Sequence, residues 1–382
     1  MVRLAVGRVL LSVSVFGVAL LITEVAIRIL LPQNLILIRP DVWVPDERYG
    51  WVTAPDANVE ISAGESRVRF RTDYRGNRID HRDDVPLPGL AGRAVLAVGD
   101  SFLQAVEVDY EDTLGAVVER GFPAVGPSSL RVVNSGVSGW TPSHYRLKVE
   151  DALESGRHYD AIVVLFYLGN DVVRKRVDRF RARAPTVRHS LRMPHELSRR
   201  EIVAALLYPI NDFLEESSHL FAFVRDRSLL LRMKFGLTQI RMPDLLDRRM
   251  TYTPAWDLTA EICTDLERAA SRVGVPVLFA LVPSIHEVDH EFVQRYVEFL
   301  GMDPSRYDLD QPSREMGRRL QRMGLRVLDL TPALREAYAA GGARLYDRVT
   351  VHLSPRGHEV VGRALVPALE DLMGDVARLE TD

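Results

Sequence analysis

Five short apolar runs, Ala94 to Val98, Leu130 to Val133, Ala161 to Phe166, Val275 to Val282 and Leu325 to Leu330, recur from residue 94 onward with helix-patterned sequence between them. Strands made almost wholly of Val, Ile, Leu and Ala must be covered on both faces, which is the condition of a parallel sheet wrapped by helices. Right-handed crossovers supply those helices. The pattern predicts an α/β fold, a doubly wound, flavodoxin-like sheet of five parallel strands. The interval from about 174 to 253 is too long for one crossover and predicts a mostly helical insertion near the open ends of the strands. Apolar groups at Ala204 to Leu207, Phe213-Leu214 and Leu229 to Leu231 give that insertion its helical periodicity. It opens with Arg174, Lys175, Arg176, Arg179, Arg181 and Arg183, which read first as a solvated charge run and second as a grip on an anionic polymer or lipid headgroups.

The first residues set a second constraint. Between Arg8 and Glu24 the chain carries no charge, and Glu24 and Arg28 follow at helical i, i+4 spacing. With Arg8 or Arg28 snorkelling to the interface, the run spans the roughly 30 Å of a bilayer core. No convincing small-x-small cleavage site precedes Glu24, so a retained signal anchor is expected rather than a cleaved signal peptide. Arg3, Arg8 and the amino terminus would stay in the cytoplasm, which places everything after Leu31 outside the cell membrane, periplasmic or extracellular. After a linker bracketed by Pro32 and Pro40, Val59 to Ile61 and Val68 to Thr72 alternate around Ala63-Gly64-Glu65-Ser66 and predict a small β-hairpin appendage. The expected organisation is therefore an anchor over 1–31, linker and hairpin over 32–93, a main domain over 94–372 and a tail over 373–382.

A chain of 382 residues, 47% of them hydrophobic, can bury one large core. Its net charge of −3 supplies no field to hold nucleic acid. The single cysteine, Cys263, can close no intrachain disulfide and reads as a small buried hydrophobe.

Chemistry concentrates where the predicted strands end. The first strand runs into Gly99-Asp100-Ser101-Phe102, the second into Asn134-Ser135-Gly136-Val137-Ser138-Gly139, and the third into Leu168-Gly169-Asn170-Asp171. A serine in a tight turn after a strand is either a nucleophile or an N-cap, since Ser and Asp are both favoured at helix starts. The glycine-rich second turn lets a backbone amide approach a substrate atom. The third aims a side-chain amide at the same space, and Val351-His352-Leu353-Ser354-Pro355 supplies an imidazole before the last helix. Together these are a hydroxyl, two kinds of oxyanion donor and a base, the parts needed for acyl transfer.

Gly-Asp-Ser, Asn-x-Gly-x-x-Gly, Gly-Asn-Asp and a late His, in that order, resemble the SGNH hydrolases, the GDSL esterase and lipase superfamily, over roughly Ala94 to Leu372 with the insertion excepted. Arg75-Gly76-Asn77-Arg78 is similar to the Gly-x-Arg-type segment that precedes the domain in membrane-anchored bacterial members. The resemblance implies that Ser101 is the nucleophile and also donates its backbone N–H to an oxyanion. Gly139 then gives a second backbone N–H, Asn170 a side-chain amide, and His352 is the general base.

The sequence departs from that family at the third triad member. The acid should stand three residues before the histidine, where this chain has Val349. Asp347 is the nearest carboxylate and the expected orienting group, with a backbone carbonyl in a Ser–His dyad as the alternative. Gln104-Ala105 stands where many relatives carry glycine; His358 is expected to be structural, and His144 has no role. The expected activity is hydrolysis of an O-acyl ester, an acetyl ester foremost, on a cell-surface glycan or lipid, without metal or organic cofactor. The alternatives are O-acyl transfer to a surface polysaccharide by the same residues and a catalytically silent glycan-binding relative. The oligomeric state stays open.

Overall fold

A computed structural model describes residues 2–33, 35, 42–62, 67–80, 93–123, 130–173, 175–177, 210, 213–228, 231, 235, 244–249, 253–347 and 350–379. Helix α1 (Val2–Leu30) leads into two antiparallel ribbons, β1 (Trp43–Asp46) with β2 (Gly50–Thr53) and β3 (Asn58–Ile61) with β4 (Val68–Arg71). The second ribbon is the predicted hairpin. Its turn at 63–66 lies outside the described residues, as do Ala204 to Leu207, Leu229-Leu230, Arg174, Arg179, Arg181, Arg183 and Val349.

The five apolar runs form β5 (Ala94–Gly99), β6 (Arg131–Gly136), β7 (Ala161–Tyr167), β8 (Val277–Val282) and β9 (Arg326–Asp329). Every neighbouring pair is parallel, in the order β6-β5-β7-β8-β9. The chain therefore starts inside the sheet, steps outward to β6, and returns past β5 to build the other edge. That reversal leaves a crevice at the carboxyl ends of β5, β6 and β7, where ligands bind in open α/β sheets.

Successive strand residues face opposite layers. Leu96, Val98, Val164, Phe166, Phe279 and Leu281 join one core with α4 (Pro142–Glu154), α6 (Thr253–Ser271) and α9 (Gln311–Arg322). Val95, Ala97, Val163, Leu165, Leu278 and Ala280 join the other with α3 (Leu114–Gly121), α10 (Thr331–Ala339) and α11 (Pro355–Leu379). The first core also takes in Val42, Trp43, Tyr49, Trp51, Ile61 and Phe70. The two ribbons are thus built into the main core rather than hung beside it as an appendage. The last helix continues to Leu379, beyond the expected start of a tail at 373.

Among the described residues α1 is the one helix long and apolar enough to cross a membrane, over Leu10–Leu30. Its polar end is engaged with the insertion, whose described part includes α5 (His219–Arg227). Glu24 accepts from the backbone N–H groups of His219 (3.0 Å) and Leu220 (2.8 Å) and from Ser218 Oγ (2.8 Å), so a side chain of α1 caps α5. Arg28 pairs with Glu24 at 3.0 Å and donates to the carbonyl of Ser217 at 2.7 Å. These donors would otherwise be orphans of a helix N-terminus.

Candidate active site

At the end of β5 the capping function that Gly99-Asp100-Ser101 could serve falls to the aspartate. Asp100, fully buried, is the N-cap of α2 (Ser101–Gln104) and accepts from Phe102 N at 2.9 Å. Ser101 is thereby left free to turn its hydroxyl toward the crevice. Burial holds the Asp100 carboxyl above its ordinary range, against the opposing hydrogen bonds from Phe102 and Asn170 and the charge of His352.

Ser101 Oγ lies 2.8 Å from His352 Nε2. The imidazole reaches it from a closed turn in which Asp347 N donates to His352 O at 2.8 Å and Val351 N to Asp347 O at 3.1 Å. Val351 adopts φ +60°, a costly conformation for a β-branched residue and one kept where the surroundings over-determine it. Phe102 packs edge-on against the imidazole, centroids 5.0 Å apart, and stacks on Tyr167.

The carboxylate on the far side of the ring is Glu107. Its Oε1 lies 2.6 Å from His352 Nδ1, and its side chain is 4% exposed against 23% for His352. Asp347 was the expected partner, and the structure gives its carboxylate other work. Oδ1 accepts from Thr350 N at 2.8 Å and Thr350 Oγ1 at 3.2 Å, which caps the turn. The physical reason is the backbone closure between Asp347 and His352, which commits the Asp347 side chain to the turn it starts. Nor is a backbone carbonyl needed on Nδ1. Burial alone would lower the His352 pKa, but the charge and hydrogen bond of Glu107, then Asp100 and Asp347, raise it above its ordinary value.

Glu107 stands six residues after Ser101 in Ala105-Val106-Glu107-Val108. A lone acid in an apolar run was the one signal that could have marked it, since charged groups are seldom buried unpaired. The loop that carries it begins where α2 ends, at Ala105 in the left-handed region with φ +54°. Arg78, 3% exposed, holds that loop: Nη1 donates to Gln104 O at 2.9 Å and to Ala105 O, and Nη2 donates to Val108 O. Burial pulls the Arg78 guanidinium down to about 10, with Glu107 the strongest of the charges opposing the shift, so it stays cationic at neutral pH.

The second loop is locked to α2. Gly136 ends β6 so close to α2 that a Cβ there would lie 2.4 Å from Gln104 N, which only glycine avoids. Gln104 Oε1 accepts from Ser138 N (3.0 Å), Ser138 Oγ (2.6 Å) and Trp43 Nε1 (3.3 Å), while Nε2 donates to Thr53 Oγ1 at 2.7 Å. One buried amide therefore ties α2, the ribbon β1-β2 and the turn that presents Gly139. Gly139 has φ +78°, and a Cβ on it would sit 3.3 Å from the Trp51 indole. Asn170, in the turn after β7, donates from Nδ2 to Asp100 Oδ2 at 3.0 Å, which ties its amide to the residue before Ser101.

His144 shares the N-terminal capping box of α4 with Thr141 and stacks on Trp140 at 5.4 Å. Burial lowers it to about 3, opposed only by a backbone hydrogen bond with Tyr49, so it stays neutral. His358 accepts from Leu114 N at 3.3 Å, which makes it a link between α11 and α3.

No protein-family model and no curated protein matches this chain. Solved structures similar in outline include a lipolytic protein of the G-D-S-L family from Veillonella parvula, 13% identical, with a TM-score of 0.38 over 72% of this chain and 97% of that one. The acetyl xylan esterase AlAXEase is 14% identical, with a TM-score of 0.39 over 72% of this chain and 99% of its own. A catalytic mutant of Axe2, an acetylxylan esterase from Geobacillus stearothermophilus, is 16% identical, with a TM-score of 0.38 over 73% and 94%. A likeness of this size says nothing of substrate or mechanism.

Proposed function

We propose that this chain is a serine esterase of the SGNH type, acting through an acyl-enzyme on Ser101 with His352 as base and Glu107 as the orienting acid. The observation that carries the reading is one continuous line: Glu107 Oε1 to His352 Nδ1 at 2.6 Å and His352 Nε2 to Ser101 Oγ at 2.8 Å. With Nδ1–H donated to Glu107, Nε2 keeps its lone pair and accepts the serine proton as Oγ attacks the ester carbonyl. The imidazolium formed is stabilised by the buried carboxylate and returns the proton to the leaving alcohol. Water, activated by the same nitrogen, then attacks the acyl-enzyme and releases the acid.

Ser101 N, Gly139 N and Asn170 Nδ2 are the proposed donors to the carbonyl oxygen as it becomes an anion. Each preorganised donor is worth about 3 kcal/mol of barrier in sites of this kind. We read α1 as a single-pass anchor that holds the domain on the extracytoplasmic face, with an O-acyl group on a surface glycan or lipid as the substrate. Support comes from the apolar length of Leu10–Leu30 and the arginines that precede it.

Hydrolysis of a short-chain aryl ester by the full chain in detergent, beside Ser101→Ala, tests the proposal. Parent turnover with loss of at least a thousandfold in the variant is expected, because a residual rate survives the loss of any triad member. Equal rates would remove Ser101 as nucleophile. Acetyl label recovered on an added glycan instead of as free acetate would assign transfer in place of hydrolysis.

A further inference from the structure

The Arg75-Gly76-Asn77-Arg78 turn lies outside the sheet, yet its polar groups end inside the site. Asp73 Oδ1 accepts from Arg75 N and Asn77 N at 2.8 and 2.9 Å, and its Oδ2 accepts from Asn77 Nδ2 at 2.9 Å, which closes the turn on itself. Asn77 Oδ1 accepts from Ser135 Oγ, and Arg78 N donates to Asn134 O at 3.0 Å, so the turn is stitched along β6. The guanidinium then passes over the Phe70 ring, 5.1 Å from its centroid, into the segment that follows the nucleophile helix. There it meets the carbonyls of Gln104, Ala105 and Val108, which bracket Glu107 on both sides.

A loop of five residues has no regular hydrogen-bond ladder to fix its shape, and buried carbonyls need donors. A planar cation with a fixed fork of N–H groups can gather several carbonyls in one geometry, which an ammonium cannot do. Glu107 itself needs a counter-charge, because among the described residues no donor lies on its buried Oε2. Arg78 meets both needs at once.

We infer that Arg78 is a positioning residue of the reaction, the group that folds the 104–108 loop so that Glu107 reaches His352. The ribbon segment before the sheet is then part of the catalytic apparatus, acting at one remove through the acid. The inference rests on the Ser101–His352–Glu107 reading proposed above.

A double-mutant cycle on ester hydrolysis by the full chain tests it, with Arg78→Met, Glu107→Gln and the pair. Arg78→Met is expected to lower kcat about a hundredfold in the parent and less than threefold in the Glu107→Gln background, because the acid it positions is already gone. Its acidic limb in the pH profile of kcat/KM should move to lower pH, as when the imidazole loses its carboxylate. Arg78→Lys, which keeps the charge but not the fork, guards against misfolding and should lose about tenfold with the same direction of shift. Equal losses in both backgrounds, or a limb that stays in place while kcat falls, would leave Arg78 purely structural and overturn the inference. A Glu107→Gln variant as fast as the parent would instead overturn the triad, and the inference with it.

Discussion

Glu107→Gln removes the charge beneath His352 while keeping nearly the same shape. In the parent, proton transfer to Nε2 creates an imidazolium against a carboxylate with an Oε1–Nδ1 separation of 2.6 Å. Taking the charge centres as about 4 Å apart at an effective dielectric of about 20, their attraction is about 4 kcal/mol. At about 1.4 kcal/mol per factor of ten, that is roughly a thousandfold in kcat. A glutamine amide also offers Nδ1 a donor as readily as an acceptor. In the donor orientation it stabilises the tautomer whose Nε2 already carries a proton and cannot act as base. The loss in kcat should therefore lie at or above a thousandfold, with KM little changed.

The pH profile supplies a second reading from the same samples. His352 must be neutral to work, so activity falls as pH drops through its pKa. In the parent that limb lies above the usual imidazole value of about 6.5, because the charge and hydrogen bond of Glu107, with the charges of Asp100 and Asp347, together outweigh the burial that would lower it. Without Glu107 burial dominates and the limb moves to lower pH. Stopped-flow or plate assays of an aryl ester between pH 4 and 9, the range set by carboxylate and histidine titration, would follow both effects. A variant within threefold of the parent, with its limb unmoved, would refute the assignment of Glu107.

Asp347→Asn should leave kcat within about threefold, yet lower the melting temperature by a few degrees, since it weakens a turn cap worth about 1 kcal/mol; a loss like that of Glu107→Gln would restore Asp347 as the triad acid. Gly139→Ala forces a Cβ onto a φ of +78° beside Trp51, and kcat should fall about a hundredfold while urea denaturation shows a loss of only about 1–2 kcal/mol. An unchanged kcat would exclude its N–H from the oxyanion site. Glu287 is pushed up to about 8 by burial, against the hydrogen bonds from Ser284. A carboxyl whose folded pKa exceeds its unfolded value binds its proton more tightly when folded, so stability falls as pH rises from about 4.5 to 8. Glu287→Gln should flatten that decline in thermal melts, and an equally steep decline would contradict the burial argument.

Much of the fold could be read because its signals are local. Ala94 to Val98 and Ala161 to Phe166 declare buried parallel strands by unbroken apolar character, with no need to know their neighbours. Ser101, Gly139 and Asn170 were marked by the turns that follow strands and His352 by the loop before the last helix, and the structure sets Ser101 and His352 in contact. Glu107 was illegible because its partner returns 245 residues later, and nothing within its own loop records that return. The ribbon of Trp43–Asp46 and Gly50–Thr53 escaped notice for a related reason. Four-residue strands containing Pro45 carry little periodicity, and their burial depends on Trp43 and Trp51 meeting Gln104 and Ser138, far along the chain.

Under the anchor proposed above, the Glu24 cap bears on how the insertion is held beside a bilayer. A domain on a limp tether sweeps a hemisphere, whereas the helix proposed above as the anchor also closes the end of α5 with its own carboxylate. Such a contact ties α1 to the insertion as well as to the linker that follows it. Severing the chain after Leu31 would therefore strip three donors of their acceptor and leave the insertion to find another support.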